Sequence, residues 1–207
     1  MKSEARPYHH GNLRESLVEA GYELARAQGP EAVVLRAVTR AAGVSHNAAY
    51  RHFADHQELL NAVADRCMTD LADLMRKRTK EVREKGTQAR AARELGAVGR
   101  AYIEFAVTEP GLFRTAFATR EHPSPPDEPE SRDDAELSPY ELLSARLDRL
   151  VEVGILPAER RPGAEYAAWA SVHGLSMLLV DGPLKVVPEA ERERAISIAL
   201  EVVARGL

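Results

Sequence analysis

The sequence is poor in the residues that build covalent cross-links or membrane spans. Its single cysteine, Cys67, excludes an intrachain disulfide and a zinc site made of several cysteines. No apolar run approaches the roughly 20 residues that span a bilayer. The N-terminus, MKSEARPYHH, also has no apolar stretch like that of a secretion signal. We therefore expect a soluble cytoplasmic protein with no membrane contact.

Acidic charge exceeds basic charge overall, but the excess is confined to one segment. The formal net charge is −4, whereas residues 121–137 alone carry seven acidic residues and one arginine, so the rest of the chain sums to +2. Residues 1–60 are balanced, with seven Lys or Arg, seven Asp or Glu and five of the seven histidines. This balance argues against an indiscriminate nucleic-acid coat protein. Four prolines and few apolar residues in 121–137 predict a mobile acidic surface loop.

Apolar residues recur at alternating steps of three and four along the chain, as they do in amphipathic helices, and no segment has the alternation of a strand. The predicted fold class is therefore all-α. Capping residues, glycines and prolines place the helix ends. The expected helices are 12–28, 35–42, 46–53, about 56–85, 89–108, a short one opened by Pro110 that contains Phe113 and Phe117, 139–154, 164–181 and 188–205.

The segment GVSHNAAYRHF, residues 43–53, joins two of the short helices near the N-terminus. Gly43 ends the first of them and Ser45 is a good N-cap for the second. Two short helices around a glycine turn are the parts of a helix-turn-helix, whose second helix lies in the DNA major groove. The same pattern also occurs as plain helical packing, so it does not by itself predict DNA binding.

The wider segment LRAVTRAAGVSHNAAYRHFADHQELL resembles the DNA-binding signature of TetR-type transcriptional regulators. YHHGNLR before the first helix and WASVHG at 169–174 resemble the subset of that family with a Trp-His-Gly motif in its C-terminal domain. The likeness covers nearly the whole chain. It implies a helix-turn-helix domain over residues 1–55 and a larger helical domain for effector binding and dimerisation over 56–207.

In that role the second short helix would carry the DNA contacts. Asn47 can pair bidentately with adenine, and His46 beside it can reach base edges. Hydroxyl, imidazole and guanidinium groups nearby would bind phosphate, which positions the protein without reading sequence. The expected DNA-binding residues are Thr39, Arg40, Ser45, His46, Asn47, Tyr50, Arg51, His52 and His56, with a possible N-terminal arm of Arg6, Tyr8, His9 and His10.

Three features depart from the family pattern, and one of them is the pair Thr39 and Ala49, where alanine and a larger aliphatic residue are usual. The start of the fourth helix, where a lysine commonly meets a phosphate, holds His56, and a histidine carries little charge at pH 7. Val34 stands where Ser or Thr usually caps the second helix, which predicts a weaker helix start. His9 with His10, and His52 with His56, could also be metal pairs, but no further ligand is placed beside them, so we expect no metal.

The resemblance also implies a homodimer formed through the helices at 164–181 and 188–205, a palindromic double-stranded DNA operator and a small-molecule effector that the sequence does not identify. We expect the effector near Tyr102, Phe105, Phe117, Trp169 and His173, and we expect repression. His173 shares a helical face with Trp169, yet it could equally be a hydrogen-bonded core or interface residue. The phenylalanines could equally belong to the core.

Three alternatives remain open from the sequence. The chain could bind small molecules without binding specific DNA, or bind DNA without any effector. An enzyme would need a poised nucleophile, base or metal site. We find none, since Cys67 lies on an apolar helical stripe and is expected to be structural. The sequence therefore predicts no catalytic residue and no cofactor.

Overall fold

The computed structural model describes residues 13–118 and 136–206. Over these residues the backbone forms nine α-helices and three 3₁₀ helices, and no β-strand, so the all-α fold predicted from the sequence is confirmed. The α-helices are α1 (Leu13–Gln28), α2 (Leu35–Ala42), α3 (His46–Ala49), α4 (His56–Lys80), α5 (Thr87–Thr108), α6 (Pro110–Ala116), α7 (Pro139–Glu152), α8 (Ala164–Val180) and α9 (Glu189–Gly206).

Local capping explains where several helices begin. Ser138 Oγ accepts a hydrogen bond from the Glu141 N–H at 3.3 Å, and the Glu141 carboxylate accepts one from the Ser138 N–H at 2.7 Å. This reciprocal capping box starts α7 at Pro139, as the sequence predicts. Val34 precedes α2 without a side-chain capping bond, because a valine has no acceptor to offer.

Some predicted helix ends are wrong. The third helix was expected to reach Phe53, but α3 stops at Ala49, and the N–H groups of Arg51 and His52 bond three residues back in a tight turn. The fourth helix stops at Lys80 rather than about residue 85. Periodicity alone does not detect such ends, since turns of this kind keep nearly helical spacing.

Other ends differ by a few residues. Helix α5 begins at Thr87, two residues before the expected start, and α7 ends at Glu152, two residues short of Gly154. Phe117 follows α6 as its C-terminal cap instead of lying inside the helix. The predicted loop at 121–137 lies outside the described residues except for 136 and 137, and Asn12, the expected cap of the first helix, lies outside them as well.

One large apolar core joins the N-terminal helices to the rest of the described chain. Leu17 of α1, Phe53 after α3, Val63 of α4 and Phe113 of α6 all belong to it, and each is fully buried. Helices α4 and α5 lie at its centre, since α4 packs on α1, α6 and α7, and α5 packs on α8 and α9. A second, smaller core around Leu147 joins α5, α7 and the start of α8. Within residues 13–118 and 136–206, no helix has the length and apolarity needed to span a bilayer.

Candidate nucleic-acid interface and internal cavity

The turn between α2 and α3 is built around a glycine in the left-handed conformation. Gly43 has φ 68° and ψ 28°, and the Val44 N–H donates to the Thr39 carbonyl oxygen at 3.0 Å. This αL cap satisfies the last carbonyl groups of α2 and redirects the chain. Ser45 then caps α3, because its Oγ accepts a hydrogen bond from the Ala48 N–H at 3.3 Å.

Helix α3 has one buried side and one exposed side. Ala49 is fully buried and fastens the helix to the core, with the fully buried Phe53 shortly after it. His46 and Asn47 are exposed on the outer side, and Tyr50, half exposed, stacks edge-on against His46 with 4.9 Å between ring centroids. The exposed side therefore presents side chains whose chemistry can pair with base edges and with phosphate.

Most of the predicted DNA-binding residues lie at the surface. Arg40, Ser45, His46, Asn47, Tyr50, Arg51 and His56 are exposed, and His52 is half-buried. Thr39 does not join them, and here the prediction is wrong. The structure buries Thr39, and its hydroxyl donates to the Arg36 carbonyl oxygen at 3.2 Å, so it is directed along its own helix. The predicted arm of Arg6, Tyr8, His9 and His10 lies outside the described residues.

The start of α4 is fixed beside this surface. Asp55 Oδ1 accepts from the Glu58 N–H at 2.9 Å, and Glu58 Oε2 accepts from the Ala54 N–H at 2.6 Å. These two bonds hold His56 exposed as the first residue of the helix. Arg36 is an exposed cation four residues before Arg40 on α2. It is absent from the predicted DNA contacts, although the i, i+4 spacing places both arginines on one helical face.

A cavity of about 210 Å³ lies in the second half of the chain, among α4, α5, α7, α8 and α9. Its lining is almost entirely apolar and aromatic. The lining residues are Met68, Met75, Ala92, Leu95, Gly96, Val98, Gly99, Tyr102, Phe117, Ser138, Pro139, Tyr140, Leu143, Tyr166, Ala168, Trp169, Val172, Leu200, Val203 and Ala204.

Three of the five predicted ligand-binding residues line this cavity, namely Tyr102, Phe117 and Trp169. Phe105 and His173 are not part of the lining, although His173 contacts Tyr102 and Phe117, which are. Phe105 is only 4 % exposed and packs in the main core, because it faces away from the cavity on α5.

His173 stands behind Tyr102 rather than at the cavity surface. Its Nδ1 lies 2.8 Å from the Tyr102 hydroxyl, which also accepts a hydrogen bond from Trp169 Nε1–H at 3.2 Å. These bonds join α5 to α8. Burial raises the pKa of Tyr102, which keeps the hydroxyl protonated at neutral pH. His173 therefore supports the cavity wall as a hydrogen-bonded residue, which is the structural role left open by the sequence.

Two tyrosines of the lining, Tyr140 and Tyr166, were not predicted. The spacing of Tyr166 from Trp169 on one helical face was a usable signal. No sequence signal of this kind marks Tyr140, which lies in the first turn of α7. Its ring packs edge-on against Trp169, with 6.2 Å between centroids.

Helix α6 connects the cavity with the N-terminal helices. At its C-terminal end Phe117 lines the cavity, and at its N-terminal end Gly111 packs against the last turn of α1. A Cβ atom on Gly111 would lie 2.3 Å from the Ala25 carbonyl oxygen, so only glycine allows this approach. Arg26 Nε also pairs with Glu109 Oε2 at 3.2 Å beside the contact.

The described residues thus form a helix-turn-helix unit with an exposed second helix, joined through α6 to a helical unit that encloses an apolar cavity. This is the architecture of a ligand-responsive DNA-binding regulator. The family models for bacterial regulatory proteins of the tetR family and for the tetracyclin repressor-like C-terminal domain match residues 17–63 and 95–203. The chain belongs to the TetR family and is a DNA-binding transcriptional regulator.

Solved structures share the fold over almost the full chain. A protein of unknown function from Rhodococcus sp. RHA1 is 25 % identical with a TM-score of 0.73, covering 98 % of this chain and 99 % of its own. A TetR-family transcriptional regulator from Pectobacterium atrosepticum is 15 % identical with a TM-score of 0.60, covering 94 % and 91 %. TetR from Acinetobacter baumannii AYE is 16 % identical with a TM-score of 0.60, covering 93 % and 95 %. No curated protein matches the chain.

Proposed function

We propose that the protein is a homodimeric repressor that binds a palindromic operator through α3 and is released when a small molecule occupies the cavity. Residues 1–55 would act as the DNA-binding domain and 56–207 as the effector-binding and dimerisation domain. The proposal is carried by one observation: α6 contacts the wall of the apolar cavity at one end and the backbone of α1 at the other.

The exposed apolar side chains of α8 and α9 support a homodimer. Met177 and Leu178 are 39 % and 43 % exposed on α8, and Ile198 and Val202 are 51 % and 62 % exposed on α9. Gly174 has open space around its Cβ position, which permits the close approach of a second helix. Side chains of this kind normally find cover in an interface. A twofold axis through α8 and α9 would place two copies of α3 roughly 34 Å apart, one DNA turn, on a palindromic site.

Release by an effector needs unequal affinity for two conformations of the dimer. A ligand beside Phe117 would displace the C-terminal end of α6. Gly111 would transmit this displacement of α6 to α1, because the two helices are in direct backbone contact there. The angle between the two DNA-binding domains would then change, and with it the spacing of the two copies of α3.

We further propose membership of the Trp-His-Gly subset of the family. Support comes from the shared hydrogen bonds of Trp169 and His173 to the Tyr102 hydroxyl, which give both motif residues a joint role in the cavity wall. A regulator of this kind acts in the cytoplasm and needs no catalytic residue or metal. Within residues 13–118 and 136–206, no group of three His, Cys, Asp or Glu side chains could hold a metal ion.

The first experiment is a footprint of the purified protein on the DNA upstream of its own gene, with unrelated DNA of equal length as the control. A protected palindrome that persists at moderate salt supports a sequence-specific operator. Equal protection of both DNAs, or of neither, would contradict specific binding to this site. Light scattering of the same sample measures the oligomeric state. A monomer at the protein concentration of the footprint would contradict the proposed dimer and its palindromic operator.

Two other outcomes separate the remaining alternatives. Specific DNA binding that no cavity ligand changes would identify a DNA binder without an effector. If the protein binds a ligand but fluorescence anisotropy shows no binding to any DNA duplex, it is a small-molecule-binding protein without specific DNA binding.

A further inference from the structure

We propose that the cavity selects a neutral, mainly apolar molecule about the size of a bicyclic hydrocarbon. The inference rests on the proposed function and specifies the effector class for the same cavity. It follows from the volume of the cavity, the charge of its lining and the hydrogen bonds that the lining already makes.

The volume limits the ligand to a small molecule. The cavity measures about 210 Å³, whereas an apolar cavity of about 150 Å³ engineered in another protein holds benzene. On the same scale this cavity accommodates roughly 8 to 10 non-hydrogen atoms. Long acyl chains and polycyclic drugs exceed that size.

The lining disfavours ions of either sign. None of the described lining residues is Lys, Arg, His, Asp or Glu. A carboxylate or an ammonium ion would therefore lose its hydration without gaining an opposite charge from the described lining residues. Aromatic rings occupy much of the wall instead, and Trp169 lies 6.4 Å from Phe117 and 6.2 Å from Tyr140 between centroids. Such rings favour contact with a flat apolar ligand.

Tyr102 and Trp169, two polar side chains of the wall, are hydrogen-bonded to each other. The Trp169 N–H donates to the Tyr102 oxygen, and the Tyr102 hydroxyl also lies 2.8 Å from His173 Nδ1, to which we assign the Tyr102 proton. With this assignment the Trp169 N–H and the Tyr102 O–H each have an acceptor. The Tyr102 hydroxyl then has no proton left to donate to a ligand carboxylate.

A matched set of indane derivatives tests this class. Indane and 2-indanol are neutral, whereas 2-aminoindane is a cation and indane-2-carboxylate an anion at neutral pH, and all four share one ring system. Trp169 is the only tryptophan of the chain and lies in the lining, so its fluorescence reports occupancy without DNA. We expect saturable changes with the two neutral probes at least about tenfold tighter than with either ion. Equal or tighter binding of an ion, or no response to any probe, would overturn the inference.

A cavity-filling variant tests the location. The Cβ position of Gly96 meets nothing within 4 Å, and Gly96 lies in the lining of α5. In Gly96→Leu the added side chain should occupy the space, so binding of 2-indanol should weaken by at least about tenfold. Ala89→Leu, on the exposed side of α5, is the matched control and should bind as the original protein does. Circular dichroism of both variants checks folding, and undiminished binding by folded Gly96→Leu would place the ligand elsewhere.

Failure of the inference can be distinguished from failure of the proposed function. If 2-indanol binds and operator affinity stays unchanged, the proposal that an effector releases the protein from DNA is wrong, while the proposed ligand class is supported. If the operator is protected and no indane derivative binds, the ligand class is wrong while specific DNA binding stands.

Discussion

Gly111 of α6 meets α1 backbone to backbone, and a Cβ atom there would lie 2.3 Å from the Ala25 carbonyl oxygen. Real Cβ atoms do not approach backbone oxygens so closely, so any side chain at this position must separate the two helices. The contact joins the helix that borders the cavity to the first helix of the DNA-binding unit.

Gly111→Ala should therefore destabilise the protein. Moving α6 away from α1 disrupts a packed core, which costs about 1–3 kcal/mol in the free energy of unfolding. Urea denaturation measures the change. Gly96→Ala is the matched control, because its Cβ position is open and alanine favours a helix, so that variant should be unchanged or more stable by up to about 1 kcal/mol. Equal stability of the two variants would contradict the close approach.

The turn before α3 gives a second prediction. Gly43 has φ 68° with nothing within 4 Å of its Cβ position, so a substitution there meets backbone strain rather than a clash. Gly43→Ala should lower the free energy of unfolding by about 1–2 kcal/mol. Gly43→Asn should cost less, since asparagine tolerates the left-handed region. Thermal unfolding of both variants tests this, and a larger loss for asparagine than for alanine would refute it.

Base reading and phosphate binding should respond differently to mutation. Asn47→Ala should weaken operator binding by about 1–3 kcal/mol and leave binding to unrelated DNA nearly unchanged. Arg51→Ala should weaken binding to both DNAs and reduce the slope of log affinity against log salt by about 1. Fluorescence anisotropy across salt concentrations separates the two. Arg93→Ala, on α5 with an exposed side chain, is the control and should change neither. Identical effects of the first two variants would contradict the division of roles.

His56→Lys should strengthen DNA binding. The residue is exposed at the start of α4, and a lysine there adds a full positive charge beside the proposed interface. One additional phosphate contact per subunit steepens the salt slope by about 0.9 for each. Ala89→Lys adds the same charge far from α3 and should leave the slope nearly unchanged. If both variants steepen it equally, the effect is one of net charge alone.

A charged cluster between α7 and α8 gives a prediction about stability. Arg161 pairs with Asp148 and with Glu165 at 2.7 Å each, and it donates to Ser144 Oγ at 2.8 Å. Arg161→Ala would leave the buried Glu165 carboxylate with fewer partners, at a cost of about 1–3 kcal/mol in the free energy of unfolding. Arg149→Ala breaks only an exposed ion pair and should cost less than about 1 kcal/mol.

The same cluster predicts a dependence on pH. Burial alone would raise the pKa of Glu165, but backbone hydrogen bonding and the contacts with Arg161 and Ser144 outweigh it, so the folded pKa is lowered. The stabilisation is therefore complete above the unfolded value of about 4.3, and it is lost as the pH falls through the folded pKa. Urea midpoints measured from neutral to acidic pH should fall less steeply in Glu165→Gln. An identical fall in both proteins would exclude Glu165 as a contributor.

The sequence determined the fold class, the family and most helix starts of this protein, because these depend on neighbouring residues. The capping box of Ser138 and Glu141, the glycine turn at Gly43 and the proline at position 110 act within a few residues, and each lies where the pattern predicts.

The tertiary structure alone decided which side chains reach the surface or the cavity. Thr39 and Phe105 have the residue types expected at the DNA and at the ligand, yet both are buried. Tyr140 and Leu200 reach the cavity from helices distant in the chain. Periodicity assigns a residue to one face of its helix, but the helix packed against that face is set by contacts between residues far apart in sequence, which no local pattern contains.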